Sequence, residues 1–343
     1  MKVRQAVVMV GGKGTRLRPL TNDRPKPILP VLDRPCLSYL IDSLAKGGIE
    51  KVFLACGYRS EKMRDAIGDG SKEGIEIEYA YEDAPAGTAG AIKLLEDKLD
   101  DIFVAVNGDV FADIDLKKEI EEHEMTGATV TMSLTPVANP CEFGIARVNG
   151  TGKITEFKEK PKPEEVFSNL INAGVYVVKK DVMRYVPEGK MYDFSKELVP
   201  DLMNKGYRIQ GHILNGLWMD VGRPKDLIGA NLAAAERLCG GKRWNDVISS
   251  KITGPFYLGP NGKVKDSAIS SSVISANSKV ISSEITDSFI MASCDISEAF
   301  ISGSILGEGC VVKKGAKIIG SVLADNTTVN ENEVKENVTG GSV

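Results

Sequence analysis

Apolar residues follow two different patterns along this 343-residue chain. Over the first 240 residues or so, short apolar runs bounded by Gly, Asp or Asn predict strands at residues 5–10, 52–55, 75–80, 102–107 and 129–134. Helical spacing between these runs predicts helices at residues 37–45, 88–99 and 116–125. Strands that alternate with helices favour a mixed, mostly parallel α/β sheet covered on both faces. We therefore expect ligands to bind in loops after the strands.

The second pattern runs from residue 250 to residue 338, where small polar residues separate apolar positions at intervals near six. Val264, Ile269, Val280 and Ile285 are examples. Such a period predicts a parallel β-helix with three flat faces, and about 18 residues per coil would give about four or five coils. A sandwich of short strands is the alternative. The predicted domains are residues 1–240 and residues 250–343, joined by a linker near residues 238–244.

Composition narrows the classes of partner. A net charge of −4 argues against a nucleic-acid ligand, and the apolar run at residues 6–10 is too short for a signal sequence or membrane span. Six widely separated cysteines without a CxxC pair favour free thiols, so we expect a cytoplasmic protein. With only two histidines, His123 and His212, a divalent metal would sit on carboxylates and phosphate, which indicates Mg²⁺.

A glycine-rich loop follows the first predicted strand. Gly11, Gly12 and Gly14 let backbone N–H groups approach a polyphosphate closely, and Lys13 and Arg16 add positive charge. The loop lacks the GxxxxGK[ST] pattern of a P-loop, and Leu17 stands where a dinucleotide fingerprint has glycine. The loop therefore predicts a phosphate site of another type.

The longer pattern around this loop is far more specific. It comprises residues 11–21 (GGKGTRLRPLT), 24–27 (RPKP), 87–90 (GTAG), 107–109 (NGD), 142–144 (EFG), 159–161 (EKP), 171–176 (INAGVY) and 218–222 (WMDVG). Together these segments resemble the motifs of the sugar-nucleotide pyrophosphorylases, also called sugar-1-phosphate nucleotidyltransferases. The resemblance implies a Rossmann-like nucleotidyltransferase sheet, and residues 254–260 and 304–309 resemble the left-handed parallel β-helix that follows it in many members.

The family reaction joins a nucleoside triphosphate to a sugar 1-phosphate and releases pyrophosphate. Both substrates are anionic, so catalysis needs charge neutralisation and alignment. The resemblance assigns Arg16 to the leaving pyrophosphate, Lys26 to a second cation on the phosphates, and Asp109 and Asp220 to Mg²⁺. The predicted nucleotide-binding residues are Gly11, Gly12, Lys13, Gly14, Thr15, Glu82, Gly87 and Thr88.

The sugar phosphate is assigned to a second set of residues by the same resemblance. Lys160 is expected to grip the phosphate, and Glu159 to accept hydrogen bonds from two sugar hydroxyls. Asn172 and the backbone N–H of Gly144 complete the predicted clamp.

Glu82 is predicted to recognise the base of the nucleotide. Family members specific for thymidine or uridine nucleotides tend to have glutamine at this position, five residues before the GTAG-like turn. A carboxylate has only acceptors, which suit the N1–H and N2–H₂ donors of guanine. The residues around Gly87 and Asn172 also resemble the mannose-1-phosphate guanylyltransferase branch. GTP with mannose 1-phosphate is therefore expected, with dTTP or UTP and glucose 1-phosphate as the alternative.

Two other functions compete with this one. A non-catalytic, nucleotide-sugar-binding regulatory subunit would be favoured if Arg16, Lys26, Asp109 or Asp220 were missing, but all four are present. A β-helix acyltransferase commonly uses a histidine base, and both histidines precede residue 213. We therefore expect the β-helix to serve assembly, in a homo-oligomer that covers its open end.

Overall fold

The protein is represented by a computed structural model that describes residues 2–12, 14–57, 60–82, 84–240 and 246–339. Its contacts form two compact units. The first comprises Met1–Gly12 and Leu37–Trp218, and the second comprises Lys13–Cys36 and Met219–Val343. The domain boundaries at residues 240 and 250 stay a prediction.

Thirteen strands and six helices are described up to residue 240. The strands are β1 (Gln5–Met9), β2 (Pro30–Val31), β3 (Arg34–Pro35), β4 (Lys51–Cys56), β5 (Glu76–Tyr81), β6 (Ile102–Asn107), β7 (Val110–Ile114), β8 (Val130–Pro136), β9 (Gly144–Val148), β10 (Ile154–Glu159), β11 (Leu170–Lys179), β12 (Ile209–Ile213) and β13 (Gly216–Asp220). The helices are α1 (Cys36–Lys46), α2 (Ser60–Ile67), α3 (Gly87–Lys93), α4 (Leu116–Thr126), α5 (Val199–Asn204) and α6 (Pro224–Cys239).

The first unit contains a mixed sheet in the order β10-β9-β11-β6-β1-β4-β5, and β8 links β11 to β12. β1 lies parallel between β4 and β6, which explains its almost continuous apolar sequence. β11 runs antiparallel to β6, β8 and β9. The α/β class is therefore as predicted. The antiparallel strands beyond residue 140 were not among the predicted strands.

The central strands bring two loops together at one edge of the sheet. Gly108 follows β6, and its N–H donates to the carbonyl of Met9 over 2.9 Å. A Cβ atom at Gly108 would lie 2.4 Å from Val10 Cγ1, so only glycine fits here. Asp109 and Gly11 thus follow two adjacent parallel strands, as expected for a ligand site in such a sheet.

One predicted helix is shorter than expected. α3 ends at Lys93, and a 3₁₀ turn at Glu96–Lys98 replaces the rest of the helix predicted for residues 88–99. Ile92, Leu95 and Leu99 are nevertheless all buried. The tighter turn brings these apolar side chains to the core, so their spacing did not distinguish the two kinds of helix.

The second unit contains a parallel β-helix, as predicted. Its strands are β14 (Val247–Ile248), β15 (Lys251–Leu258), β16 (Lys263–Lys265), β17 (Ala268–Ile274), β18 (Lys279–Ile281), β19 (Glu284–Thr286), β20 (Phe289–Ile290), β21 (Asp295–Ser297), β22 (Phe300–Ser302), β23 (Ile305–Leu306), β24 (Val311–Val312), β25 (Lys317–Ile319), β26 (Val322–Leu323), β27 (Thr328–Val329) and β28 (Val334–Glu336).

The coils are shorter than the predicted 18 residues. Val264 pairs with Val280, 16 residues on, and Val312 pairs with Val329, 17 residues on. The difference arises at the corners, where residues such as Asp266, Ser271 and Asn277 have positive φ. A left-handed residue turns the chain sharply, so that a face can take five residues instead of six.

Candidate active site

The predicted phosphate loop begins in the first unit and continues in the second. Gly11 and Gly12 follow β1 and are exposed, and a Cβ atom at Gly57 would be in ordinary contact with the Cα of Gly11, at 3.4 Å. The backbone of the loop is therefore open to solvent at Gly11 and Gly12, as a phosphate-binding loop needs. Lys13 lies outside the described residues.

In the second unit, Gly14 begins a 3₁₀ turn that contains Thr15 and Arg16. Gly14 has a φ of 59°, and its carbonyl accepts a hydrogen bond from Thr21 Oγ1 over 2.8 Å. A Cβ atom at Gly14 would lie 3.0 Å from the Cβ of Lys26. The turn is therefore packed directly against Lys26, and the predicted residues Gly14 and Lys26 are brought together.

Two predicted cations and one predicted metal ligand form a cluster in the second unit. Lys26 is 8% exposed, and its Nζ lies 3.8 Å from Asp220 Oδ1. Asp220 ends β13, and a Cβ atom at Gly222 would lie 2.7 Å from Asp220 Oδ2 and 2.9 Å from Arg16 Nη2. Arg16, Lys26 and Asp220 are thus neighbours around a glycine that leaves room for their side chains. We call them the Arg16–Lys26–Asp220 cluster.

Glu82 lies beside the start of the phosphate loop. Its Oε2 accepts a hydrogen bond from the N–H of Ala86 over 3.2 Å, and its Oε1 would lie 3.8 Å from a Cβ at Gly11. One oxygen therefore fixes the side chain, and the other faces the loop. This position fits the predicted contact with a nucleotide base.

Gly87 and Thr88 form the turn that begins α3. Gly87 has a φ of 74°, and a Cβ there would lie 2.6 Å from the carbonyl oxygen of Tyr192. Thr88 Oγ1 donates to Asp193 Oδ2 over 3.1 Å and accepts from the N–H of Phe194 over 2.7 Å. The Thr88 hydroxyl thus anchors the turn, and nucleotide binding by Thr88 stays a prediction.

Asp109 stands in the tight turn between β6 and β7 and is half-buried. Among the residues that the structure describes, no group of three or more His, Cys, Asp or Glu side chains could hold a metal ion. Mg²⁺ commonly keeps several waters and binds one or two carboxylates together with substrate phosphates. Asp109 and Asp220 therefore have the donor chemistry that Mg²⁺ prefers, and each stays a predicted ligand.

Gly144 and Glu159 face each other across the antiparallel pair of β9 and β10. A Cβ atom at Gly144 would lie 2.5 Å from Glu159 Oε2, and no described residue donates a hydrogen bond to this buried oxygen. Burial raises the pKa of Glu159, although the Ser195 hydroxyl and Lys160 act to lower it. A buried acceptor without a partner is costly, so this oxygen is suited to a ligand hydroxyl.

Lys160 follows Glu159 directly, and Asn172 lies on β11, which pairs with β9. Lys160 is exposed and has a φ of 45°, a conformation that is uncommon for residues other than glycine. Asn172 Nδ2 donates to the Tyr176 hydroxyl over 2.7 Å, and Asn172 Oδ1 accepts from the N–H of Gly174 over 2.9 Å. These two bonds orient the amide and leave one donor hydrogen and one acceptor lone pair for another partner.

Asp193 was not predicted from the sequence, and it joins several parts of this region. Besides accepting from Thr88, its Oδ1 accepts from the N–H and hydroxyl of Ser195 and from the N–H of Lys196. An aspartate two residues before a serine at the start of a helical turn is an N-cap signal that could have identified it. Asp193 therefore supports the turns around Thr88 and Ser195.

Comparison with known proteins identifies the family of this chain. The model of the nucleotidyl transferase family matches residues 5–237, about two thirds of the chain. The chain belongs to the nucleotidyl transferase family. A GlmU-like C-terminal hexapeptide model also matches residues 274–339, within the β-helix. The family predicted from the motifs is thereby confirmed.

This nucleotidyl transferase is similar to the following two relatives and one solved structure. It is 38% identical over 225 residues to mannose-1-phosphate guanylyltransferase of Mycobacterium tuberculosis, a match that covers 65% of this chain and 62% of the relative. It is 28% identical over 303 residues to UTP–glucose-1-phosphate uridylyltransferase of Synechocystis, covering 76% and 75%. A UDP-glucose pyrophosphorylase crystallised with UDP-glucose shares the fold, with a TM-score of 0.61 and 19% identity over 69% of this chain and all of the other.

None of the described helices of this nucleotidyl transferase combines the length and the hydropathy needed to cross a membrane.

Proposed function

We propose that this nucleotidyl transferase converts GTP and mannose 1-phosphate to GDP-mannose and pyrophosphate. The observation that carries the proposal is the Arg16–Lys26–Asp220 cluster, which lies within the part of the chain that the family model matches. Two cations and a carboxylate beside a glycine-rich loop suit a reaction between two anionic phosphates. The same cluster argues against a purely regulatory subunit.

The proposed chemistry is an in-line displacement at the α-phosphorus of the nucleotide. A phosphate oxygen of the sugar phosphate forms the new P–O bond, and the bond to the β-phosphate breaks, so that pyrophosphate leaves with the electron pair. Arg16, which is exposed, would neutralise the pyrophosphate, and Lys26, held beside Asp220, would contact the phosphates. A bound Mg²⁺ supplies additional neutralisation of phosphate charge, and Asp109 and Asp220 are its proposed ligands.

The sugar is proposed to bind near Glu159. Its buried Oε2, beside the Gly144 backbone, would accept a hydrogen bond from a sugar hydroxyl, and the oriented Asn172 amide is proposed to bind the same sugar. Ionised glutamate accepts two or more hydrogen bonds, which matches neighbouring hydroxyls of a hexose. Lys160, exposed at the end of β10, would contact the sugar phosphate.

Guanine is the proposed base because Glu82 offers only acceptors. With Oε2 bound to Ala86 N–H, Oε1 is oriented toward the phosphate-loop side and can accept from a guanine N–H. The greater identity to the guanylyltransferase supports this choice, and the uridylyltransferase relative supports UTP with glucose 1-phosphate as the second candidate. Glu82→Gln is expected to lower the ratio of kcat/KM for GTP to that for UTP.

The proposal is tested by product formation. Purified protein with GTP, mannose 1-phosphate and Mg²⁺ should release pyrophosphate and form GDP-mannose in equal amounts, both detected by chromatography. A protein that binds GDP-mannose but never releases pyrophosphate would instead support the regulatory function.

Assembly and location complete the proposal. Val334 in β28, near the end of the described β-helix, is 58% exposed, and open coil edges are usually covered by a partner. We therefore propose a homo-oligomer formed through the β-helix. A cytoplasmic location is proposed from the six widely separated cysteines. Light scattering that shows a stable monomer at micromolar concentration would contradict the first of these.

A further inference from the structure

The segment that carries Arg16 and Lys26 belongs to the same compact unit as the β-helix. We call residues 14–36 the Lys26 segment. It contains the short hairpin of β2 and β3 and is held by polar contacts at two places. Both contacts involve residues of the β-helix, far away in the sequence, and the first also involves α6.

The first contact holds the hairpin tip. Asp33 Oδ1 accepts from the N–H of Ala276 and Asp33 Oδ2 accepts from the Tyr257 hydroxyl, each over 2.8 Å. The Leu32 carbonyl accepts from Ser275 Oγ over 3.1 Å, and the Leu32 N–H donates to Asn231 Oδ1 over 2.7 Å. These bonds fix both sides of the turn on neighbouring coils and on α6.

The second contact lies two residues before Lys26. Arg24 Nη2 forms an ion pair with Asp325 Oδ2 and lies 3.6 Å from Glu308 Oε2. Asp325 Oδ1 accepts from the N–H of Glu308 over 2.8 Å, so the coil backbone itself orients the carboxylate. The Arg24 and Asp325 side chains are only 19% and 29% exposed, unlike ordinary surface pairs.

The covalent path from this ion pair to Lys26 is short and stiff. Pro25 and Pro27 flank Lys26, and proline fixes its own φ. Lys26 is buried, with its Nζ 3.8 Å from Asp220 Oδ1, so little free movement is left to its side chain. A shift of the Arg24 backbone would therefore be transmitted to the Lys26 ammonium group.

We propose that Arg24 and Asp325 are positioning residues for nucleotidyl transfer, through which the β-helix fixes Lys26 against the phosphates. This inference rests on the proposed function for the role of Lys26, and on the contacts above for the anchor itself. It gives the β-helix a part in turnover, in addition to any role in assembly.

The test compares Asp325→Asn with wild type in steady-state kinetics. We expect kcat to fall about tenfold, because a displaced charge loses transition-state stabilisation, with the KM for mannose 1-phosphate changed by less than about twofold. Asp325→Glu keeps the charge and should retain most of the wild-type kcat. Arg24→Gln removes the other partner of the same ion pair, so its kcat should match that of Asp325→Asn. Arg24→Gln replaces Asp325→Asn in the test if the latter fails to fold.

A matched control is available on the same β-helix. Glu298→Gln breaks the exposed ion pair with Lys314 by the same carboxylate-to-amide change, and should leave kcat at the wild-type value. Wild-type kcat in both Asp325→Asn and Arg24→Gln would overturn the inference, as would an equal loss in Glu298→Gln.

Hydrogen exchange separates this inference from the proposed function. The amides of residues 20–29 should exchange several-fold faster in Asp325→Asn than in wild type or Glu298→Gln. If wild-type protein releases no pyrophosphate from any substrate pair, the proposed function is wrong. If the exchange rates of residues 20–29 are unchanged in Asp325→Asn, the ion pair does not hold the Lys26 segment, whatever the outcome for the proposed function.

Discussion

Replacing Gly222 with alanine is expected to slow turnover about tenfold while leaving the protein folded. Gly222 follows Asp220 by two residues and lies two residues before the start of α6. It has no predicted role of its own, but the structure places it against both Asp220 and Arg16. The substitution adds one methyl group beside the Arg16–Lys26–Asp220 cluster.

The size of the effect follows from the available space. The added methyl would lie 2.7 Å from Asp220 Oδ2 and 2.9 Å from Arg16 Nη2, whereas ordinary contacts begin at 3.4 Å. Both side chains must therefore move by about half an ångström or more. Because a misplacement of about 1 Å can cost about 10²-fold in rate, a loss of about tenfold in kcat is expected.

The measurement is a pair of kcat and KM determinations with a thermal melt of each variant. Gly229→Ala is the control: it lies in α6, where a Cβ meets nothing closer than Met219 Cε at 3.4 Å, and should keep wild-type kcat. Gly222→Ala with normal kcat would mean that the positions of Arg16 and Asp220 do not matter to turnover. A large loss of stability in the melt would mean that the effect is not local.

Three further predictions concern acid groups. Activity should vanish in EDTA and return with Mg²⁺, and Asp109→Ala and Asp220→Ala should each be severely impaired. Undiminished turnover in chelator would contradict the proposed metal site. Burial raises the pKa of Glu159 above 4.5, so the KM for mannose 1-phosphate should rise on acidification at a higher pH than an ordinary glutamate would give. Glu159→Gln should remove this acidic rise in KM; an unchanged rise in the variant would assign it to another group. Burial also raises the pKa of Glu119 to about 8, so the folded state holds a proton that the unfolded state loses near pH 4.5. Stability should therefore fall as pH rises from 4.5 through 8, by an amount on the order of a few kcal/mol, and melts of Glu119→Gln should lose this slope while those of exposed Glu121→Gln keep it.

Residues whose role depends only on their sequence neighbours were predictable from the sequence. The apolar run of β1 followed by glycines identified a buried central strand and its loop, because both features are local. In the β-helix, predicted apolar positions such as Val264, Ile269, Val280 and Ile285 are all buried. The coil length was misjudged because it depends on left-handed corner residues, whose conformation a six-residue average does not show.

Residues whose role depends on distant partners were not predictable. The Thr88 hydroxyl is engaged by Asp193 and Phe194, more than 100 residues away in the sequence. Arg24 belongs to the RPKP motif, but nothing local indicates that Asp325 lies beside it. Motif patterns identify candidate site residues, and packing decides which of their polar groups already have a partner within the protein.

The most direct test of the whole account is a pyrophosphate-release assay that crosses five nucleotides with two sugars. GTP, UTP, dTTP, ATP and CTP would each be tested with mannose 1-phosphate and with glucose 1-phosphate, in wild-type protein and in Arg16→Ala. We expect the highest kcat/KM for GTP with mannose 1-phosphate, and a kcat about 10²-fold lower in Arg16→Ala. Preference for UTP or dTTP with glucose 1-phosphate would contradict the guanine assignment, and no pyrophosphate from any pair would contradict nucleotidyl transfer itself.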